Sequence, residues 1–80
     1  MAALPKKKPS EHAYHVDHNT ALDRWDVVDH AGRVIGHRYD VSDATYLAIR
    51  EAQHAHFGGG NVVVCVEQAD GTYKLAWASR

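Results

Sequence analysis

Hydrophobic and polar residues alternate along much of this chain. A period of two predicts β-strands, because successive side chains of a strand point to opposite faces. The alternation covers residues 13–17, 24–29, 33–39 and 61–67, and it resumes after Gly71. Residues 61–67 have the strongest β-propensity, since four of the seven are valine. The pattern therefore predicts three strands, an interruption and two further strands.

Residues 42–57 interrupt the alternation with a helical pattern. Their small residues recur at spacings of four, four and three, which places them in one narrow stripe: Ala44, Ala48, Ala52 and Ala55. A stripe of this kind allows a helix to lie close to a sheet. Ser42 is the predicted N-cap, and the glycines at 58–60 are the predicted C-terminal cap.

Gly32 indicates how the second and third predicted strands pair. A three-residue loop that ends in a left-handed glycine places Val27 opposite Ile35 and Trp25 opposite His37. The apolar residues then share one face, which a two-residue loop would not achieve.

Asp70-Gly71 indicates a two-residue hairpin turn between the last two strands. Counting outward from the turn gives the predicted pairs Glu67 with Lys74, Val66 with Leu75, and Val64 with Trp77.

These elements predict an α+β fold of two layers, with the order β-β-β-α-β-β. An antiparallel-rich sheet of four to five strands packs on one helix. The helix covers the face that carries Trp25, Val27, Ile35, Val64, Leu75 and Trp77. The other face is left open and is predicted to bear Val28, Val34, Val63, Cys65, Ala76 and Ala78. An open apolar face on a small domain marks a contact surface, so we expect a homodimer or another protein partner there.

Charge is divided unevenly along the 80 residues, which are enough for one domain. Residues 1–10 are predicted to be a disordered basic arm, with Lys6, Lys7 and Lys8, ahead of a single domain at 11–80. That domain has six basic against ten acidic residues, hence a net charge of −4 with neutral histidines. Because nucleic acid binding depends on basic contacts, it is the alternative function, carried by the lysine arm.

Cys65 is the single cysteine, which excludes an internal disulfide and suits a reducing compartment. No apolar run resembles a signal peptide or a membrane span. A cytoplasmic location is the expectation.

Seven histidines make a metal site the third hypothesis, with His12, His15 and His18 as the candidate ligands. On a strand, His15 points away from the other two, so only a break in the strand would bring all three together. Solvated surface histidines are the competing interpretation. A pH-dependent assembly with His37 near Trp25 is a further hypothesis.

Catalytic patterns are sparse. Cys65 lies in the middle of a predicted strand with no evident base, and the glycines at 58–60 follow a helix instead of opening one. We therefore expect no catalysis and no cofactor.

The chain resembles a bacterial family in the spacing of six features. They are His15-Val16, Trp25-Asp26-Val27, Gly32, Ser42 ahead of the helix with Ala44, Ala48 and Ala52, the valine strand, and Asp70-Gly71. The family is the one known as domain of unknown function 2188, and the resemblance spans residues 13–75. Arg24, where the family has glycine, and the triple glycine depart from its pattern. The resemblance implies the fold and brings no established activity.

Overall fold

The computed structural model describes residues 11–55 and 61–79. Six elements follow in chain order: β1 (Glu11–Asn19), β2 (Arg24–Val28), β3 (Val34–Arg38), α1 (Val41–His54), β4 (Asn61–Glu67) and β5 (Tyr73–Ala78). The five strands form one sheet in the order β3-β2-β1-β4-β5, and α1 packs on one face. The predicted two-layer α+β fold is confirmed.

β1 is the central strand, a position that the sequence left open. It pairs antiparallel with β2 and parallel with β4, while the pairs β2–β3 and β4–β5 are antiparallel. The strands β1 and β4 are parallel because α1 returns the chain to the end of the sheet at which β1 begins, so that β4 begins at the same end. A mixed, mostly antiparallel sheet results.

The core lies between α1 and the sheet. Val16, Val27 and Val64 are fully buried, one from each of the strands β1, β2 and β4. The alanine stripe faces them, and its members Ala44, Ala48 and Ala52 are buried as predicted. Small side chains on the helix allow branched side chains on the sheet to fill the space between the layers.

Asp40 caps α1, and the predicted Ser42 cap is wrong. The Asp40 carboxylate accepts hydrogen bonds from the backbone N–H groups of Ser42 at 3.0 Å and Asp43 at 3.3 Å. The helix therefore begins at Val41. It ends at His54, and the predicted glycine cap at 58–60 lies outside the described residues.

The first hairpin has the predicted turn but a different register. Gly32 adopts a φ of 87°, and its N–H donates to the Asp29 carbonyl at 3.0 Å. Beyond Val28 a bulge shifts the pairing, so that Gly36 lies opposite Val27. Ile35, predicted for that core position, is 42% exposed. The reason is Leu47 of α1, whose Cδ2 lies only 3.0 Å from where a Cβ on Gly36 would be.

The second hairpin corrects the predicted turn. Gln68 donates its N–H to the Thr72 carbonyl at 2.7 Å, so the loop has three residues and ends in Gly71 at a φ of 87°. The loop shifts Val66 to face Lys74, and a bulge restores the predicted pair of Val64 with Trp77.

Leu75 is displaced by this shift. It lies opposite Cys65 and is 58% exposed, whereas the sequence placed it in the core opposite Val66. An additional loop residue changes the face that every following side chain occupies until a bulge reverses the change.

Candidate functional site: the open sheet face

The face of the sheet opposite α1 carries five of the six predicted contact residues. Side chains of register partners lie on the same face. His15, which points away from the buried Val16, pairs with Val28 on β2 and Cys65 on β4. Through the same registers, Val34, Val63 and Ala78 also lie on the open face.

Ala76 is the exception among the predicted contact residues. It is the extra residue of the β5 bulge and has no partner in the register. It lines a cleft of about 450 Å³ that also contacts Val41 and Thr45 of the helix. The bulge, which the alternation of the sequence does not reveal, moves Ala76 out of the predicted surface.

The open face divides into two halves along the strand direction. One half, named the apolar belt, spans two adjacent register rows. Ala13, Val63 and Ala78 lie in one row, and Val34, Val28 and Leu75 lie in the next row together with His15 and Cys65. The other half, named the acidic half, carries the carboxylates of Asp17, Asp26 and Glu67. His15 and Cys65 lie at the boundary between the two halves.

Asp26 organises the acidic half. It is only 8% exposed, and its carboxylate accepts hydrogen bonds from Arg24 Nε at 2.7 Å and Asn19 Nδ2 at 3.0 Å. Burial acts to raise the pKa of Asp26, but these hydrogen bonds and the charges of Arg24 and His37 lower it overall. The carboxylate is therefore held ionised beneath the surface of this half.

Tyr73 connects β5 to the central strand. Its hydroxyl donates to Asp17 Oδ1 at 2.7 Å, and its ring lies 5.0 Å from that of His15 in an edge-on contact. The hydrogen bond to Asp17, followed by burial, raises the pKa of Tyr73 to about 12. The tyrosine is thus a fixed donor that reaches from an edge strand across β4 to β1.

His15 is the register partner of Cys65, a proximity that sequence reasoning missed. The two residues are 50 positions apart, and the parallel pairing of β1 with β4 brings them together. The strand order would have been needed to find them. The pair lies on the surface of a sheet, while the cleft described above lies beside the helix.

The three predicted metal ligands do not converge. β1 is unbroken, so His12 and His18 lie on the helix side and His15 on the open face. His18 stacks on Trp25 at 4.4 Å between ring centres. Within residues 11–55 and 61–79, no group of three or more histidine, cysteine, aspartate or glutamate side chains is arranged to hold a metal ion.

The remaining predicted features have different outcomes. His37 lies opposite Asp26 and not beside Trp25, because the bulge in β3 shifts the register. The Lys6–Lys8 arm lies outside the described residues. No helix in the described part of the chain is long and apolar enough to cross a membrane.

No protein-family profile, curated protein or solved structure matches the chain. The resemblance to domain of unknown function 2188 therefore stays a prediction. The candidate site rests on the geometry of the open face alone.

Proposed function

We propose that this chain is a small non-catalytic protein-interaction module that self-associates through its open sheet face. The observation that carries the proposal is the division of that face. Apolar side chains from all five strands lie in two adjacent register rows at one end of the face, and the carboxylates are gathered beyond the second row. A belt of this kind is suited to burial against another apolar surface.

A second copy of the chain fits the belt by symmetry. Consider a two-fold axis that lies between two facing sheets and runs along the belt. It packs belt on belt and directs the two acidic halves to opposite ends of the dimer. Asp17, Asp26 and Glu67 of the two copies then stay apart and remain at the rim, where charged residues of interfaces lie.

The size of the belt predicts a weak, reversible dimer. Five strands at a spacing of about 4.8 Å extend over roughly 24 Å, and together they contribute six apolar side chains to the belt. A standard interface buries about 800 Å² on each partner, which is more than such a belt provides. We therefore expect association in the micromolar to millimolar range of concentration.

Sedimentation equilibrium of the full chain tests the proposal. The weight-average mass is expected to rise from 8.9 kDa toward twice that value as concentration increases. Val34→Glu, which places a charge in the belt, is expected to restore the monomer.

Leu22→Glu is the matched control, since Leu22 is 56% exposed in a turn and Val34 is 55% exposed on the belt. A monomer mass at all concentrations would overturn the proposal. Equal effects of the two substitutions would also overturn it, because the contact would then lie outside the belt.

A further inference from the structure

We propose that the basic arm of one copy, with Lys6, Lys7 and Lys8, docks on the open sheet face of a second copy, over the acidic half. This inference rests on the proposed function, because it requires two copies packed belt on belt. It names the segment that covers the part of the face that the belt leaves exposed in the dimer. The contacts of the arm add to a belt that is small for an interface.

The two-fold axis determines which parts of the two copies face each other. It runs between the rows of Ala13 and His15, level with position 14 of β1. Glu11 and Asp17 lie three positions before and after that level, since 14 − 11 and 17 − 14 are both 3. The axis reverses the direction of each strand and places β1 over β1. The backbone of Glu11 in one copy therefore faces Asp17 of the other copy.

The length of the arm suits this placement. Packed sheets lie about 10 Å apart. An extended chain spans at most about 3.6 Å per residue, so Lys8 lies within about 11 Å of Glu11 and Lys6 within about 18 Å. The lysines can therefore cross the gap to the acidic half of the facing copy. In their own copy, Asp17 lies about 20 Å from Glu11 along β1, and the belt lies between them.

Asp17 and Glu67 keep their charges available for such a contact. The Asp17 carboxylate accepts a hydrogen bond from the Tyr73 hydroxyl at 2.7 Å, and Glu67 accepts one from the backbone N–H of His18 at 2.9 Å. Both donors are neutral, so they fix the carboxylates in position without cancelling their charge. Among residues 11–55 and 61–79, neither carboxylate takes part in an ion pair.

Charge complementarity also selects the orientation of the two copies. Residues 1–10 contain three lysines and no acidic residue, whereas the rest of the chain has a net charge of −4 with neutral histidines. An axis along the strands would place one acidic half against the other. The axis along the belt instead places each acidic half beside the start of a basic arm. Attraction between exposed charges is screened by salt, while burial of the belt is not weakened by it.

Sedimentation equilibrium of the full chain at about 0.01 M and about 1 M salt tests the docking, because the screening length falls from about 30 Å to about 3 Å. The triple variant Lys6→Gln/Lys7→Gln/Lys8→Gln is expected to raise the dimer Kd about tenfold at low salt, since two-fold symmetry doubles each weak ion pair. At high salt, we expect little difference. The double variant Asp17→Asn/Glu67→Gln is expected to weaken the dimer as well, although it makes the chain less acidic.

Combining the two sets of substitutions separates a specific contact from general repulsion between acidic copies. Once the acidic half is neutralised, loss of the lysines is expected to have little further effect. Asp43→Asn/Glu51→Gln is the matched control, because it removes two exposed carboxylates from α1 and leaves the open face unchanged. Its dimer Kd is expected to equal that of the unmodified chain.

Carbodiimide cross-linking, which joins lysine amines to carboxylates, identifies the copy on which the arm docks. We expect links from the lysine arm to Asp17 or Glu67 in a covalent dimer, and no such links in Val34→Glu. The same links within a single chain of Val34→Glu would overturn docking on a second copy. A dimer whose Kd is unchanged by the lysine substitutions at low salt would also overturn it. In that case the belt would stand and the lysines would be left to the nucleic acid hypothesis. A monomer mass at all concentrations would instead overturn the self-association itself.

Discussion

The two faces of the sheet are built from the same strands but are specified by different forces. On the helix side, the fully buried valines of β1, β2 and β4 meet an alanine stripe, and shape complementarity fixes the layer. On the open side, hydrogen bonds such as those of Asp26 and Tyr73 fix the side chains. The free energy of unfolding is therefore expected to depend on side-chain volume at the helix side and on side-chain charge at the open side.

Enlarging a residue of the alanine stripe is the most severe test of the dependence on side-chain volume at the helix side. Ala48 is fully buried against the sheet, so Ala48→Leu forces the two layers apart. We expect the free energy of unfolding to fall by about 3 kcal/mol, as for overpacked cores. Urea denaturation of both proteins measures the change. Gln53→Leu, on the exposed side of the same helix, is the control and is expected to have little effect. Equal losses in the two variants would contradict the close contact between helix and sheet.

Asp26→Asn tests the dependence on side-chain charge at the open side. The substitution keeps the shape of the buried side chain but weakens its charge-assisted hydrogen bonds with Arg24 and Asn19. We expect a loss of about 2 kcal/mol in the free energy of unfolding at neutral pH. Asn19→Ala serves as a comparison, because it removes one of the same hydrogen bonds and leaves the carboxylate in place.

The pH dependence of this loss follows from the lowered pKa of Asp26. The unfolded chain takes up the proton near pH 3.8, while the folded chain does so at a lower pH. The contribution of Asp26 is therefore complete above pH 3.8 and is lost as the pH falls through the folded pKa. The free energy of unfolding, measured from neutral to acidic pH, is expected to decline less for Asp26→Asn than for the unmodified chain. An identical decline in both proteins would mean that Asp26 does not contribute to the loss of stability in acid.

Much of the fold could be predicted because alternation, helical period and glycine turns are local signals. They give the five strands, the alanine stripe and Gly32 in its left-handed conformation. The bulges could not be predicted, since the alternation of residues carries no sign of them, and the one in β3 lies where a distant element approaches. Gly36 occupies its position because Leu47 approaches it from α1, and that approach displaces Ile35.

Gly36→Val tests this cause of the bulge in β3. The added side chain meets Leu47 Cδ2, which lies 3.0 Å from the new Cβ. We expect a loss of about 1.5 kcal/mol in the free energy of unfolding, within the range for an overpacked site. Leu47→Ala in the same protein is expected to recover part of the loss, and a double-mutant cycle measures the coupling. Additive losses would mean that Leu47 does not determine the register.

The candidate site was harder to predict than the fold, because its residues come from strands that are distant in sequence. Alternation placed Val28, Val34, Val63, Cys65 and Ala78 together on one face. It did not reveal that His15 adjoins Cys65, or that His30 adjoins His12. Both proximities depend on the central position of β1 and on the path of the loop between β2 and β3, which no local pattern encodes.

Tyr73→Phe is the mildest test of the open side. It removes the hydroxyl that donates to Asp17 and leaves the ring beside His15. Because Tyr73 is half exposed, we expect a loss of about 0.5–1 kcal/mol in the free energy of unfolding. The pKa of Tyr73 is raised to about 12, so the contribution of its hydroxyl to stability is present below pH 10.0 and is lost as the pH rises through 12. The raised pKa can also be followed by spectroscopy. Burial also raises the pKa of Tyr14, so ultraviolet titration of the folded protein is expected to lose only the part of the high-pH tyrosine signal that belongs to Tyr73 in Tyr73→Phe. Tyr46→Phe, on the exposed surface of α1, is expected to retain that part. If both variants keep the same high-pH transition, Tyr73 is not a fixed donor, and the open side lacks the hydrogen bond that joins its edge strand to its centre.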